Sequence, residues 1–185
     1  MRLVVDANIL ICINGFDRWP ALFAFLDRCE FTLVTIESVY RRELDSIRPI
    51  LDELIAQDHL ALVSDPDKVV QKPKTVRKLQ KRIKREARRC RPTSRVDQQL
   101  LLVALRDDHP LLTDERPLQD LANLCNVPVR YDLLDVIEAL YAGRAINRSD
   151  RKTLLSSNPG GRQNSPDELE QLLADRGGDE RFECG

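Results

Sequence analysis

The chain has no apolar run long enough to span a bilayer. Its amino terminus, MRLVVDANIL, enters a strand directly, without the basic region and greasy stretch of a signal peptide. The expectation is therefore a chain without a membrane span or leader, working in the cytoplasm. Cysteine is sparse and poorly arranged for cross-linking. Cys12, Cys29, Cys90, Cys125 and Cys184 are odd in number and widely scattered, which argues against a disulfide framework or a zinc ligand set and suits a reducing compartment. Histidine is nearly missing, and His59 and His109 stand alone and read as ordinary surface or loop residues. No internal repeat is present.

What remains is enough for one domain with some decoration: 185 residues, 42% hydrophobic and 32% charged. The formal charge of -1 hides an asymmetry. From Lys68 to Arg95 there are thirteen Lys or Arg against one acid, Glu86, so this segment carries +12 and the rest of the chain -13. Such a block is either a solvated helix or a footprint for a polyanion.

Short apolar runs at RLVVD, FTLVT, LALVS, PLLTD and VPVR read as strands. Between them, helical patterns fall at 18–29, at 36–47, after Pro49, within the basic segment, at 95–108, over ERPLQDLANLC and over YDLLDVIEALYAG, which Gly143 ends. Strands alternating with helices predict an α/β fold, a three-layer α/β/α arrangement around a central parallel sheet. The domain spans residues 1–142, with a basic helical insertion at about 66–93. Residues 143–185 turn to Ser, Asn, Gly, Asp and Arg, and read as a flexible tail with one short helix, PDELEQLLADR.

Open parallel sheets bind ligands at the carboxyl ends of their strands. Asp6 ends the first strand, and Thr113, Asp114 and Glu115 end a later one. Each acid also has an ordinary structural reading, because an Asp after a strand often caps the next helix, and Asp114 suits that role with Pro117 in the following turn. On a helix over 36–47, Glu43 falls inside the apolar face of Ile36, Val39, Tyr40, Leu44 and Ile47, where a carboxylate is costly unless a nearby Arg pairs with it. Asp97 opens a helix that is apolar nearly all round, and S-x-x-D from Ser94 also matches a capping box. Together, crowded carboxylates raise one another's pKa, and a hard cation relieves the crowding. An oxygen-only donor set favours magnesium or manganese over zinc.

The ordered set VVDANIL, TIESVYRREL, RVDQQLLLVAL and LLTDERPL resembles the PIN-domain family over about residues 1–142. That resemblance implies a metal-dependent ribonuclease with a Mg2+ or Mn2+ site. It makes Asp6, Glu43 and Asp97 the first three acids, with Asn8 a small polar neighbour of the first and Thr113 its orienting residue. The family's fourth acid usually follows as T-x-D. Here Glu115 holds that position and Asp114 comes one residue earlier, so either can be the fourth. Members include the toxins of toxin–antitoxin pairs and enzymes of RNA processing. The partners implied are RNA, with DNA left open, an antitoxin protein and a second copy of the chain. The basic segment lengthens the region before Asp97, unlike many small toxins.

Charge alone points to Lys78, Lys81, Arg82, Lys84, Arg85, Arg88 and Arg89 as the RNA-binding residues. No aromatic platform accompanies them, so backbone recognition with little base readout is expected. The competing reading is an inactive module of the same fold that binds RNA or a protein through its basic helix.

Overall fold

Leu3, Val4 and Val5 are all buried although successive strand residues point to opposite faces, so the sheet is covered on both sides where it begins. They lie in β1 (Arg2–Val5) of a computed structural model that describes residues 2–15, 31–68, 73–127, 130–142, 144 and 146–156. β1 pairs with β2 (Thr32–Ile36) on one side and β4 (Leu111–Leu112) on the other. β3 (Leu60–Val63) lies outside β2, and β5 (Arg130–Tyr131) outside β4. The order is β3-β2-β1-β4-β5, with every pairing parallel. Leu3 stands opposite Leu33, and Val5 opposite Leu112.

The described helices are α1 (Ala7–Gly15), α2 (Glu37–Arg42), α3 (Arg48–Ala56), α4 (Lys74–Glu86), α5 (Arg95–Asp107), α6 (Arg116–Leu124), α7 (Leu133–Ala142) and α8 (Arg148–Ser156). The chain steps from β1 through β2 to β3 in one direction, then returns to place β4 and β5 on the far side of β1. With right-handed crossovers, this reversal sends α1 to α3 to one face and α4 to α6 to the other, in keeping with the three expected layers. It also opens a crevice between β1 and β4 at their carboxyl ends.

α5 is the central helix. Leu100, Leu101, Leu102, Val103 and Ala104 are buried in succession, so every side of that turn is covered. The helix packs on β1 and β2, with α4 and α6 against it. Ser94 and Asp97 close its start as a capping box, and Asp108 ends it in the left-handed region at φ 54°.

The elements depart from the sequence pattern in several places. α1, over ANILICING, was not anticipated. The helix expected over 36–47 breaks after Arg42. Glu43 and Leu44 leave it, a 3-10 turn spans Asp45–Ile47, and α3 follows with Pro49 in its first turn, where no donor is needed. Leu44 and Ile47 are still buried, so the periodicity reported the core correctly while misjudging the backbone. The last strand is described at Arg130–Tyr131, so it takes in the end of VPVR and runs one residue past it, while residues 128 and 129 lie outside the described residues. His59, expected at the surface or in a loop, lies in the bend before β3 but is buried, and its carbonyl accepts from Leu33 N–H. α8 stands where a tail was expected and is tied to α7 by Arg151, which bonds Glu138 at 2.6 Å. The expected helices at 18–29 and PDELEQLLADR lie outside the described residues, as does Gly143. Among the described residues no helix is long and apolar enough to cross a membrane, and Cys90 and Cys125 are free thiols.

Candidate functional site

Asp6 is the first residue past β1 and is 3% exposed. Its backbone N–H donates to Leu112 O at 3.3 Å, continuing the pairing toward β4. Ile9 N–H donates to Asp6 Oδ1 at 3.1 Å, so the carboxylate also receives a donor from the first turn of α1. Thr113, fully buried at the end of β4, donates its hydroxyl to Asp6 Oδ2. The same Thr113 oxygen accepts from Glu115 N–H at 3.1 Å. Asn8 then reaches across, its Nδ2 donating to Glu115 Oε1 at 2.5 Å. Asp6, Asn8, Thr113 and Glu115 thus form one chain of contacts across the β1–β4 crevice, with Asn8 and Thr113 as the connectors.

Glu43 does not lie on a buried helical stripe. It is the residue after α2, exposed, with its N–H donating to Val39 O at 3.0 Å. Among the described residues no Arg pairs with it, since Arg48 binds Asp45 at 2.6 Å. Asp97 fulfils its structural reading completely. Ser94 N–H donates to Asp97 Oδ2 at 2.8 Å, and Asp97 N–H donates to Ser94 Oγ at 3.0 Å.

Electrostatics nonetheless joins the four acids. Burial, opposed by Thr113 and Ile9 and reinforced by Glu115, pushes the Asp6 carboxyl up to about 6. Partial burial raises Glu43, and Asp97 and Glu115 raise it further. Partial burial likewise raises Glu115, with Asp97 adding to it and Asn8 opposing. Burial is the largest cause of each shift, and like charges from separate elements add to it.

Asp114 belongs elsewhere. Its Oδ1 accepts from Leu133 N–H at 2.8 Å, at the start of α7, whose Asp132 and Asp135 also bond each other's backbone N–H. It therefore serves a helix start, but that of α7 and not of the helix following it, whose cap position Glu115 occupies without a side-chain cap bond. Glu115 is the acid that faces Asp6 and Asp97. As they stand, no three His, Cys, Asp or Glu among the described residues are gathered into a group that could hold a metal ion. The donor chemistry is nevertheless oxygen-only and suited to a hard cation, and the mutual repulsion is what a cation would relieve.

The basic segment forms α4, with Val76, Leu79 and Ile83 turned toward the core and its cations outward. Lys78, Lys81, Lys84, Arg85, Arg88 and Arg89 are exposed, and Arg82 is half-buried. Their charges are not equivalent. Glu86, only 4% exposed, accepts from Arg85 Nε at 2.8 Å and Arg89 Nη1 at 2.7 Å. Those two guanidiniums hold its carboxyl below the ordinary range. Lys78, Lys81, Lys84 and Arg88 pair with no described acid.

Three acids escaped the sequence reading. Glu86 was visible as the lone acid of a basic block. Asp65 and Asp67 follow β3 much as Asp6 follows β1. Asp65, 3% exposed, binds Ser38 N–H at 2.8 Å and Lys68 Nζ at 2.5 Å. Asp67 gathers Arg95, Gln99 and Gln80. For Asp65 and Asp67 the signal was an acid after a strand's carboxyl end.

No protein-family model, curated protein or solved structure matches the chain.

The raised Asp6 carboxyl has a consequence for stability without metal. An acid with a folded pKa near 6 and an ordinary value of 3.8 contributes stability below 3.8 that is lost as pH rises through 6. In EDTA, Asp6→Asn is expected to be more stable than wild type at pH 7 by up to about 3 kcal/mol, with the gap closing by pH 4. Urea unfolding at the two pH values checks this, and a pH-independent gap contradicts it.

Asp114 and Glu115 are expected to separate cleanly. Asp114→Ala lowers stability by about 1 kcal/mol, the scale of a lost helix cap, and leaves Mn2+ affinity intact. Glu115→Gln weakens Mn2+ binding and leaves stability within about 0.5 kcal/mol of wild type. Denaturation and calorimetric titration of both variants measure the two effects; equal Mn2+ affinities would remove Glu115 from the site.

Proposed function

We propose that this chain is a PIN-like, metal-dependent ribonuclease that hydrolyses RNA phosphodiester bonds. The observation that supports the reading is that Asp6, Glu43, Asp97 and Glu115 come from four separate segments yet act on one another electrostatically, Glu115 on Asp6 and Glu43, and Asp97 on Glu43 and Glu115. Asp6, Asp97 and Glu115 would hold Mg2+ or Mn2+, with Glu43 the further acid beside them. The ion supplies a water of lowered pKa and positive charge beside the phosphodiester. Thr113 keeps the Asp6 carboxylate aimed, and Asn8 does the same for Glu115. A pocket of this charge repels RNA, so phosphate binding falls to the outward cations of α4. Both a toxin restrained by an antitoxin and an RNA-processing enzyme are compatible with this chemistry.

One observation favours a second reading, an RNA-binding module with weak or no activity. Asp97 and Glu115 each receive a protein donor, and the acids are not gathered into a ready ligand group.

Cleavage of labelled RNA with Mg2+ or Mn2+ separates the two readings. Asp97→Asn is the decisive variant, because Asn keeps a carbonyl for the Ser94 cap while losing the charge. Cleavage is expected to fall at least about a hundredfold with the circular dichroism spectrum unchanged. Wild-type cleavage by this variant means Asp97 is only a cap, and no cleavage by wild type leaves the binding module.

The cations of α4 generate a second expectation. Replacing Lys78, Lys81 and Lys84 by Gln should weaken binding of an uncleaved RNA nearly uniformly across sequences. The log–log salt slope should flatten by about 0.7 for each phosphate no longer neutralised. Arg85→Gln and Arg89→Gln should change the slope less, because Glu86 already neutralises part of their charge. Equal slopes in wild type and the triple variant would leave α4 a solvated surface.

A further inference from the structure

α5 is buried on successive sides, with Leu100, Leu101, Leu102, Val103 and Ala104 all covered. A helix of that kind has no single apolar face to turn toward a core, so packing by itself specifies its rotation about its own axis only weakly. That rotation decides where Asp97 points. Ser94 with Asp97, and Gln98 with Thr93, bond within the segment and turn with it.

Asp67, in the turn after β3, ties this helix start to other elements. Its Oδ2 accepts from Arg95 Nε at 2.8 Å and Gln99 Nε2 at 3.1 Å, and its Oδ1 accepts from Gln80 Nε2 of α4 at 3.3 Å. Arg95 and Gln99 are four residues apart and share one face of α5. Asp97 stands midway between them in sequence, so at about 100° per residue it points to the opposite side. Asp67 therefore grips α5 from the side away from Asp97, through one residue before it and one after. The turn that carries Asp67 is itself anchored. Asp65, 3% exposed, accepts from Ser38 N–H at 2.8 Å in the first turn of α2, and Lys68 N–H donates to Asp65 O at 2.9 Å. The turn after β3 is thus bonded both to the helix that Glu43 follows and to the helix whose first turn holds Asp97.

We infer that Asp67 is a positioning residue: bonded to Arg95 and Gln99, it sets the rotation of α5 about its axis and so presents Asp97 to the proposed metal site. This rests on the reading of Asp97 as a metal ligand and adds the residue that aims it. Asp67 needs no contact with the ion to do so. Without it, the apolar turns of α5 can stay buried while the helix start rolls, and a small roll swings the Asp97 carboxylate away from the other acids. Residues that orient metal ligands from outside the site typically cost ten- to a hundredfold in affinity or activity when removed.

The test is calorimetric titration of the intact protein with Mn2+, without RNA. Asp67→Ala is expected to weaken Mn2+ binding about tenfold. Asp67→Asn loses the same charge but keeps an acceptor for Arg95 and Gln99, and should retain most of the wild-type affinity. That rescue separates aiming from a simple loss of negative charge near the ion. Gln99→Met changes no charge, removes one of the two holds on the helix, and should weaken Mn2+ in the same direction; it carries the test if the Ala variant folds poorly. Asp114→Ala, which lowers stability at the start of α7, is the control for stability and should leave the affinity intact. Wild-type affinity in both Asp67→Ala and Gln99→Met, or equal losses in Asp67→Ala and Asp67→Asn, would overturn the role of Asp67 while leaving the metal site in place. No Mn2+ binding by wild type would overturn the metal-dependent reading and this inference together.

Discussion

The Thr113 hydroxyl is the contact on which the rest of this arrangement hangs. It is buried, and its proton and a lone pair are both committed: it donates to Asp6 and accepts from Glu115 N–H. It therefore joins the end of β1 to the loop after β4 at the point where the sheet reverses its strand order. A methyl in place of the hydroxyl would strand a buried carboxylate and release the backbone that aims Glu115. A hydroxyl suits the position because a hydrogen bond to a charged group is stronger than one between neutral groups, and because it leaves the charge of the crevice unchanged.

The charge of the molecule is divided between two places. Asp6 and Glu115 lie at the carboxyl ends of β1 and β4, where burial and repulsion raise their carboxyls. The cations lie on the outward side of α4, held on the core by Val76, Leu79 and Ile83. Glu86 restrains Arg85 on the helix and Arg89 in the turn after it but not the lysines, so this segment offers both fixed and adaptable positive charge. A single buried acid in an otherwise basic segment anchors the guanidiniums beside it at little cost to the overall field.

Much of this was legible in the sequence. The strands β1 to β4, the basic helix and α5 follow from apolar runs, helical spacing and the S-x-x-D cap. Of the expected acids, Asp6 and Glu115 are joined through Thr113 and Asn8, while Glu43 and Asp97 act on Glu115 or each other only electrostatically. What escaped has physical reasons. α1 is short and apolar, directly after a strand, so its period could not be separated from that of its neighbour. The interruption at Glu43 leaves Leu44 and Ile47 buried, so the hydrophobic pattern survives a backbone change that moves Glu43 from a stripe to a helix end. Asp114 and Glu115 could not be told apart because their roles depend on α7, whose start lies well beyond Glu115 in the chain and supplies the N–H that Asp114 takes.

Asp97 carries two obligations in one side chain. One oxygen closes the start of α5, the most buried helix of the core, while its charge acts on Glu43 and Glu115. Few replacements meet the first demand, and fewer meet both. On the proposed ribonuclease reading, a descendant without activity would still face selection to keep an acceptor here, because the helix start needs it. Invariance of this position across a lineage would then be poor testimony for catalysis. Glu43, exposed at the end of α2 and bonded by its side chain to no described residue, would drift first once activity ceased to matter, and its retention or loss would be the better witness.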